Sequence, residues 1–575
     1  MTARLWVLLP VLLAAAPPSA ALQLEQVGAL DAGTWSVTGR VVCADTDHDS
    51  LVEVIANTGR TFDPQDPLRW EVWEYRPVNR WVLAYADTGS YPLPQGETVV
   101  GNFSPFAAGD IDRDGLADLV GTIPLDVGDS TIMLASVIES ASPDSHPRRL
   151  AWTASIGMAF PSFYAYTDLD QDGRNEIFVE RTRVFESRGN DSLVPIPMPP
   201  IDWAFTFAFG DFDRDGLREF ATGFFDVSVY ENCEVGRDTY ALTYVDQHTM
   251  GNGYDIFSGN DVDSDGRDEF FICYRRYSGE ARPVSLSLWM WEASGNNTFE
   301  RSLVANASGP DPGTGRSQCG DLDGDGIEEI AWVSTGQTLV YKATGNNQFD
   351  LVSTVGLPGD YEHAARIVDA NRNGYNELLL AGNRQMRLFE VEAIRVLSPN
   401  GGSLASGDTC TIRWRTYSPP RCDSISLFLL TDTVIPQQSR LWQMDTIVHG
   451  LPPGDTTYRW VVPDTVLAPV WVVAMAYGPG WQFDRSDSSI SIVPAGLEEV
   501  PAMTRPRVEP TLSGNVLFLP EHDGRQDDVL LDATGRKVLS LHPGPNDLGD
   551  LPSGVYFYRV DAPGLKDTKK AVITK

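Results

Sequence analysis

Short apolar stretches that alternate with polar turns recur along almost the whole chain. Stretches such as Glu176–Val179 and Glu329–Val333 are too short for typical helices and are bounded by acidic or Gly-containing turns. This pattern is typical of β-strands joined by tight connections. The sequence therefore predicts an all-β fold.

The N-terminal segment differs from the rest of the chain. Arg4 precedes an apolar run from Leu5 to Ala16, and small residues follow up to Ala21. Such a segment is typical of a secretory signal peptide, so residues 1–21 are expected to be removed. No later stretch reaches the roughly 18 apolar residues that a membrane-spanning helix requires. We therefore expect an exported protein without a transmembrane segment.

Export makes disulfides possible, and the chain has six cysteines. Cys410 and Cys422 flank a predicted turn between two strands and form the first candidate pair. Cys233 and Cys273 form a second candidate pair between neighbouring repeats. The two remaining cysteines are expected to be buried free thiols.

An acidic nine-residue pattern, Asp-x-Asp-x-Asp-Gly-x-x-Asp/Glu, occurs in seven copies. The copies start 43 to 65 residues apart. Repeats of this length that are rich in short strands indicate a β-propeller, in which each repeat forms one four-stranded blade. The copies are DTDHDSLVE at Asp45, DIDRDGLAD at Asp110, DLDQDGRNE at Asp168, DFDRDGLRE at Asp211, DVDSDGRDE at Asp261, DLDGDGIEE at Asp321 and DANRNGYNE at Asp369.

The residue types in this pattern predict a Ca²⁺-binding loop. Positions one, three, five and nine supply side-chain oxygens, position seven supplies a backbone carbonyl, and Gly at position six permits a sharp bend. Ca²⁺ takes six to eight oxygen ligands, whereas Mg²⁺ requires a tighter octahedron and more water. The predicted ligands are Asp45, Asp47, Asp49, Leu51 and Glu53; Asp110, Asp112, Asp114, Leu116 and Asp118; Asp168, Asp170, Asp172, Arg174 and Glu176; Asp211, Asp213, Asp215, Leu217 and Glu219; Asp261, Asp263, Asp265, Arg267 and Glu269; Asp321, Asp323, Asp325, Ile327 and Glu329; and Asp369, Asn371, Asn373, Tyr375 and Glu377.

Two other interpretations of the loops are weaker. An EF-hand requires flanking helices and a bidentate Glu at position twelve, and both are missing here. A single loop could be a solvated acidic turn, but seven copies in phase argue against that. Position ten is apolar in every copy, so the residue after the last ligand should enter a core. Ser50 replaces Gly in the first loop, and Asn371 and Asn373 replace aspartates in the seventh, so these two loops are the least certain Ca²⁺ sites.

Seven repeats predict a seven-bladed β-propeller over residues 22–394. Too few strands follow the last loop to complete its blade, so Leu22–Leu30 is expected to supply the missing strand. Trp70, Trp73, Tyr75, Trp81, Tyr85 and Tyr91, together with Trp289 and Trp291, are expected to pack between blades, although they could instead stack on sugar rings.

The repeats resemble the FG-GAP/VCBS repeats of integrin-α-like β-propellers. The resemblance rests on GDIDRDGLADLVG at Gly109 and GDFDRDGLREFATG at Gly210. It implies structural Ca²⁺ in loops on one face of the propeller. It also implies ligand binding on a face built from variable loops, where the ligand differs between members.

Two smaller modules are expected after the propeller. Residues 395–494 resemble an immunoglobulin-like β-sandwich, through SPNGG at Ser398 and IRW at Ile412. Asp484, Ser486 and Ser488 match a metal-dependent adhesion motif but are expected to form a polar strand edge. After a linker at 495–512, residues 513–575 form a small β-sandwich that resembles the sorting domain of type IX secretion substrates, through LDATGRKV at Leu531 and LPSGVYFYRV at Leu551. That resemblance implies passage across an outer membrane; the alternative is a second immunoglobulin-like unit.

The net charge of the chain limits the partners that it can bind. The formal net charge is −35, which argues against nucleic acid and anionic membranes as partners. The predicted ligand positions hold 26 of the 79 acidic residues, so much of the acid is organised into sites. No zinc, Walker or serine-hydrolase motif is present. We therefore expect a non-enzymatic, cell-surface adhesion module that binds an extracellular protein or glycan; a propeller-based polysaccharide lyase or hydrolase and a structural surface-layer component are the alternatives.

Overall fold

A computed structural model provides the structure of the chain. It separates into two compact units, Met1–Ala495 and Gly496–Lys575. The residues described are 22, 24–31, 41–58, 69–76, 80–87, 89–92, 98–100, 103–127, 130–157, 165–180, 183–201, 207–247, 251–277, 284–309, 315–334, 336–357, 360, 362–382, 384–417, 422–433, 441–464, 469–478, 480–493, 511–513, 516–519, 529–532, 536–541, 544–548, 551, 554–562 and 565–573. The predicted signal peptide at 1–21 and most of the predicted linker at 495–512 lie outside these ranges.

Every regular element in the described ranges is a β-strand, which confirms the all-β class. None of these residues forms a helix that is long and apolar enough to span a bilayer.

Seven four-stranded antiparallel sheets account for nearly all strands up to residue 391, and we number them by the acidic loop that each contains. Sheet 7 includes β1 (Leu24–Asp31), the first strand of the chain. Sheet 1 comprises β2 (Val41–Ala44), β3 (Glu53–Thr58), β4 (Arg69–Arg76) and β5 (Arg80–Ala86); β6 (Ser90–Pro92) and β7 (Thr98–Val100) form a separate hairpin; sheet 2 comprises β8 (Ser104–Gly109), β9 (Asp118–Val127), β10 (Ser130–Ser140) and β11 (Pro147–Gly157); sheet 3 comprises β12 (Ala165–Thr167), β13 (Glu176–Glu180), β14 (Arg183–Ser187) and β15 (Leu193–Ile196); sheet 4 comprises β16 (Ala208–Gly210), β17 (Glu219–Gly223), β18 (Val227–Asn232) and β19 (Tyr240–Asp246); sheet 5 comprises β20 (Asn252–Ser258), β21 (Glu269–Tyr277), β22 (Val284–Gly295) and β23 (Thr298–Gly309); sheet 6 comprises β24 (Gln318–Gly320), β25 (Glu329–Val333), β26 (Thr338–Gly345) and β27 (Gln348–Val355); and sheet 7 is completed by β28 (Glu362–Val368), β29 (Glu377–Gly382) and β30 (Gln385–Val391).

The N-terminal strand closes the last sheet. β1 pairs antiparallel with β30, from Leu24 opposite Val391 to Asp31 opposite Gln385. This confirms the prediction that the region around Leu22–Leu30 supplies the missing strand. Pairing of β1 with β30 covers a sheet edge on β30 that would otherwise be open.

Each sheet packs on the next through a core of its own. Phe178 of sheet 3, for example, packs against Phe220 of sheet 4, and Phe271 of sheet 5 shares a cluster with Trp332 of sheet 6. Sheet 7 packs back on sheet 1 through residues such as Leu379 and Val54. Four-stranded sheets that pack on one another in this order are consistent with a propeller-like fold.

The aromatic residues of sheets 1 and 5 mostly fill these cores. Trp70 and Trp291 are fully buried, and Tyr75, Trp81 and Tyr91 are buried as well. Trp73, Tyr85 and Trp289 are partly buried. The packing interpretation of these aromatics is therefore confirmed for most of them.

Residues 394–493 form two sheets around a shared core. One sheet contains β31 (Ile394–Ser398), β33 (Thr409–Thr416) and β36 (Thr457–Val461); the other contains β32 (Gly402–Ala405), β34 (Ser424–Thr433), β35 (Leu441–Leu451), β37 (Val470–Tyr477), β38 (Trp481–Arg485) and β39 (Ile490–Val493). Trp414 and Trp460 of the first sheet pack on Leu427 and Val472 of the second. Asp484 lies on β38, where it accepts a hydrogen bond from the Val396 amide at 2.6 Å, whereas Ser486 and Ser488 lie in the connection between β38 and β39.

All six cysteines are free thiols, so both predicted disulfides are wrong. Cys233 is exposed in the turn after β18, whereas Cys273 is buried in the middle of β21. Cys410 and Cys422 are partly buried at the border of the same core but are not bonded.

The second unit also consists of strands. β40 (Thr511–Ser513), β41 (Val516–Leu519) and β44 (Gly544–Asp547) form one sheet; β42 (Val529–Asp532), β43 (Lys537–Ser540), β45 (Gly554–Ala562) and β46 (Leu565–Ile573) form the other. Leu530, Leu541, Leu548 and Tyr556 form its core.

Candidate metal centres

The seven acidic loops occupy the same place in the seven sheets. In sheets 1 to 6 each loop connects the first strand of its sheet, in chain order, to the second, and in sheet 7 the loop connects β28 to β29. The residue at position ten is buried in every copy, with at most 1% of its surface exposed, as the sequence predicts. These residues are Val54, Leu119, Ile177, Phe220, Phe270, Ile330 and Leu378.

The backbone of the loops is folded to gather oxygens. Position six has a positive φ in all seven loops, from 72° at Ser50 to 97° at Gly266. In six loops its N–H donates to the position-one carboxylate, as from Gly266 to Asp261 at 3.0 Å. The N–H of position seven donates to the position-five side chain, as from Arg267 to Asp265 at 3.1 Å. The loop shape is thus held by the predicted ligands themselves.

Position nine anchors each loop in the core. One oxygen of its carboxylate accepts a hydrogen bond from the N–H of position two, at 2.5 to 2.9 Å in the seven copies. The other oxygen is buried without a hydrogen-bond partner in Glu53, Glu176, Glu219 and Glu269. Buried acceptors of this kind are costly unless a cation or donor satisfies them.

Further partnerless oxygens face the same sites. Buried Oδ1 atoms of Asp45, Asp112, Asp168, Asp211 and Asp261 have no hydrogen-bond partner. In loops one, four and five, one oxygen from each of the four acidic side chains lies within 4.8 Å of the others. An oxygen-only cluster of this size fits Ca²⁺, and loops one to five therefore contain donors suited to the ion. A bound Ca²⁺ would supply the positive charge that allows these carboxylates to be buried together.

Burial shifts the acidity of the loops. It raises the pKa of Glu53 and Asp118 to about 8, and of Glu176, Glu219 and Glu269 to about 9, with neighbouring aspartates adding to the effect. Hydrogen bonds from the position-two amides act in the opposite direction but are weaker than burial. The sites thus disfavour their own negative charge unless a cation is present.

A further glutamate, which the sequence analysis missed, lies opposite position nine in sheets 1 to 5; it is buried in four of them and half-buried in sheet 4. It is on the third strand and pairs across the ladder, as Glu292 does with Glu269. An acidic residue within an otherwise apolar strand was the signal that could have revealed it. The pairs are Glu53 with Glu74, Asp118 with Glu139, Glu176 with Glu186, Glu219 with Glu231, and Glu269 with Glu292.

Hairpin turns from the following sheet cover several loops. In sheet 6, the Asn347 N–H donates to Asp263 of loop five at 2.5 Å, and its side-chain amide donates to Glu292 at 3.0 Å. Asn297 of sheet 5 makes the same two contacts with Asp213 and Glu231. The similar segments WEASGNNTF, from Trp291, and YKATGNNQF, from Tyr341, therefore form equivalent caps.

Loop one has a different neighbour. His146 follows β10 of sheet 2, and its Nε2 lies 3.7 Å from Oδ2 of Asp47. Its Nδ1 lies 3.1 Å from the Thr46 hydroxyl, which donates to Glu53. His146 lies about a hundred residues from this loop, so sequence spacing could not associate the two.

Loops six and seven hold their oxygens differently. The Lys342 ammonium contacts three carboxylates of loop six: Asp323 and Glu329, each at 2.6 Å, and Asp325 at 2.9 Å. In loop seven, the Asn371 amide donates to Glu377 and the Asn373 amide donates to Glu390. The backbone carbonyl of Asn373 accepts a hydrogen bond from the backbone N–H of Trp481 at 2.7 Å. In both loops, therefore, side-chain N–H groups of the protein already donate hydrogen bonds to buried carboxylate oxygens.

Comparison with known proteins agrees with this repeat structure. Residues 168–222, 261–332 and 321–380 match the model of the FG-GAP-like repeat. The matched ranges contain loops three to seven, whereas loops one and two lie outside them. No curated protein matches the chain. The chain thus contains FG-GAP-like repeats in sheets 3 to 7.

Proposed function

We propose that the chain is a secreted, cell-surface-associated protein whose Ca²⁺-stabilised, seven-bladed β-propeller, residues 22–394, acts as an adhesion or ligand-binding module. The observation that carries this proposal is the set of buried, partnerless carboxylate oxygens that recurs from sheet to sheet. FG-GAP-like repeats support a propeller of the ligand-binding type.

The role of Ca²⁺ in this proposal is structural. The candidate ligands lie in the connections that anchor each sheet, and their position-nine side chains reach the core. Ions bound at these connections would stabilise the sheets that carry the binding surface, since a ligand that binds only the folded state adds to its stability. The partner in this proposal is an extracellular protein or glycan, and the role is not enzymatic.

The remaining modules fit export and display. Residues 395–494 are proposed to be an immunoglobulin-like spacer, and residues 513–575 a sorting domain that takes the protein through outer-membrane secretion machinery. The predicted signal peptide supports the same destination.

Glycan and matrix-protein arrays test the proposal directly. The mature protein is applied with Ca²⁺ and again with chelator, beside the double variant Asp211→Asn/Asp261→Asn and the surface control Glu234→Gln. We expect retention of specific ligands by the wild type and the control in Ca²⁺, and loss in chelator and in the double variant. A folded, Ca²⁺-loaded protein that retains no ligand on either array contradicts the adhesion role.

A further inference from the structure

We propose that Lys342 takes the place of a metal ion in loop six, so that sheet 6 holds its acidic loop without Ca²⁺. The inference rests on the proposed Ca²⁺ binding of the other loops. The inference predicts fewer bound Ca²⁺ ions than acidic loops. It also names the Lys342 side chain as the group that replaces the ion in loop six.

The contacts of Lys342 are those expected of an internal cation. Its ammonium lies 2.6 Å from Oδ2 of Asp323 and 2.6 Å from Oε1 of Glu329, and both carboxylate side chains are fully buried. Asp325 adds a third contact at 2.9 Å, and the Lys342 side chain is only 12% exposed. Three carboxylates around one buried ammonium satisfy all three of its donors.

The place of Lys342 in the sheet explains the substitution. Ile330 pairs with Tyr341, so Lys342 occupies the third-strand position next to Glu329. In sheet 5 the equivalent pair is Phe270 with Trp291, and Glu292 occupies that position. Exchange of a glutamate for a lysine changes the local charge by two units, which equals the charge of one Ca²⁺.

The oxygens of loop six show the consequence. In loops three, four and five, the free oxygen of the position-nine glutamate has no partner in the described structure. In loop six the corresponding oxygen of Glu329 accepts a hydrogen bond from Lys342. Among the described residues, none of the four loop-six carboxylates has a buried oxygen without a partner. Loop six therefore lacks the unsatisfied acceptors that favour an ion in loops one to five.

Ion counting on matched variants tests the inference. Bound Ca²⁺ per chain is measured by equilibrium dialysis and elemental analysis for the wild type, Asp263→Asn in loop five and Asp323→Asn in loop six. We expect Asp263→Asn to lose one ion and Asp323→Asn to keep the wild-type number. Loss of an ion on Asp323→Asn would overturn the inference.

The reciprocal variant adds an ion instead of removing one. Lys342→Glu introduces the glutamate that sheets 1 to 5 carry and should bind one Ca²⁺ more than the wild type. Lys537→Glu, in the second unit, changes the net charge equally and should leave the count unchanged. Circular dichroism in Ca²⁺ checks that each variant is folded. A folded Lys342→Glu protein with the wild-type count contradicts the role of Lys342, whereas a wild type that binds no Ca²⁺ contradicts the proposed function itself.

Discussion

Glu219 and Glu231 face each other across neighbouring strands of sheet 4 as a direct ladder pair. Glu219 is fully buried, and the charge of Glu231 adds to the burial that raises its pKa to about 9. Like charges directly opposite each other destabilise a sheet. The pair is therefore a cost to the metal-free protein and an advantage once a cation binds.

Glu231→Gln should separate these two effects. Removal of one charge is expected to stabilise the metal-free protein by up to about 1 kcal/mol, the range of cross-strand pairs. It is also expected to weaken Ca²⁺ binding in sheet 4 by about tenfold, because one unit of attraction is lost. Melting in chelator and calorimetric Ca²⁺ titration measure the two quantities. Glu234→Gln, in the exposed turn just after β18, is the control, and equal behaviour of the two variants would argue against a role of the pair.

Chelation should destabilise the first unit strongly. Each site held at one hundred times its dissociation constant contributes about 2.7 kcal/mol, and several sites act together. Calorimetric melting with Ca²⁺, with Mg²⁺ and with excess chelator gives the comparison. We expect the melting temperature to fall markedly in chelator and to be restored by Ca²⁺ more than by Mg²⁺. An unchanged melt in excess chelator would show that the loops do not depend on ions.

Ser50→Gly should improve the first loop. Ser50 has a φ of 72°, a left-handed conformation that costs a non-glycine residue about 1 kcal/mol. The variant is expected to bind Ca²⁺ more tightly in loop one and to melt at a slightly higher temperature. The reverse change, Gly216→Ser in loop four, should weaken Ca²⁺ binding in that loop and lower the melting temperature slightly. A Cβ at Gly216 would meet no atom within 4 Å, so its effect is conformational rather than steric. Equal signs for the two variants would contradict this explanation.

Gly28→Val should weaken the closure of sheet 7. A Cβ at Gly28 would lie 2.8 Å from the Tyr75 ring and 3.1 Å from Cβ of Leu388, at the contact of sheets 7 and 1. Overpacking of this kind costs about 1–3 kcal/mol. Urea unfolding measures the loss, with Ala29→Val, at an exposed neighbouring position on β1, as control. Equal stability of the two variants would contradict tight packing at Gly28.

Sequence reasoning located the loops and the strands that flank them because the nine-residue spacing is strict. It also identified the closing strand, since the last repeat was visibly short of strands. Position ten was recognised as buried from its chemistry alone. These features are local, or follow from counting repeats.

Contacts across the ladder could not be predicted in the same way. The role of Glu231 depends on its register with Glu219, and that of Lys342 on its position beside Glu329. His146 reaches loop one only through the packing of sheet 2 against sheet 1. The prediction that paired Cys233 with Cys273 failed for a related reason, because membership of neighbouring repeats does not specify how deeply each thiol is buried.

The contacts between hairpin caps and acidic loops all run in the same direction around the sheets. Asn297 of sheet 5 contacts loop four, and Asn347 of sheet 6 contacts loop five, so each cap reaches backward to the preceding sheet. If ions bind as proposed, an ion that orders one loop would also order the turn of the next sheet that contacts it. Occupancy of neighbouring loops is then coupled as in a one-dimensional chain of nearest neighbours. Because Lys342 fills loop six without an ion, loop six would be ordered even in the absence of Ca²⁺ and would favour the ordering of its neighbouring loops.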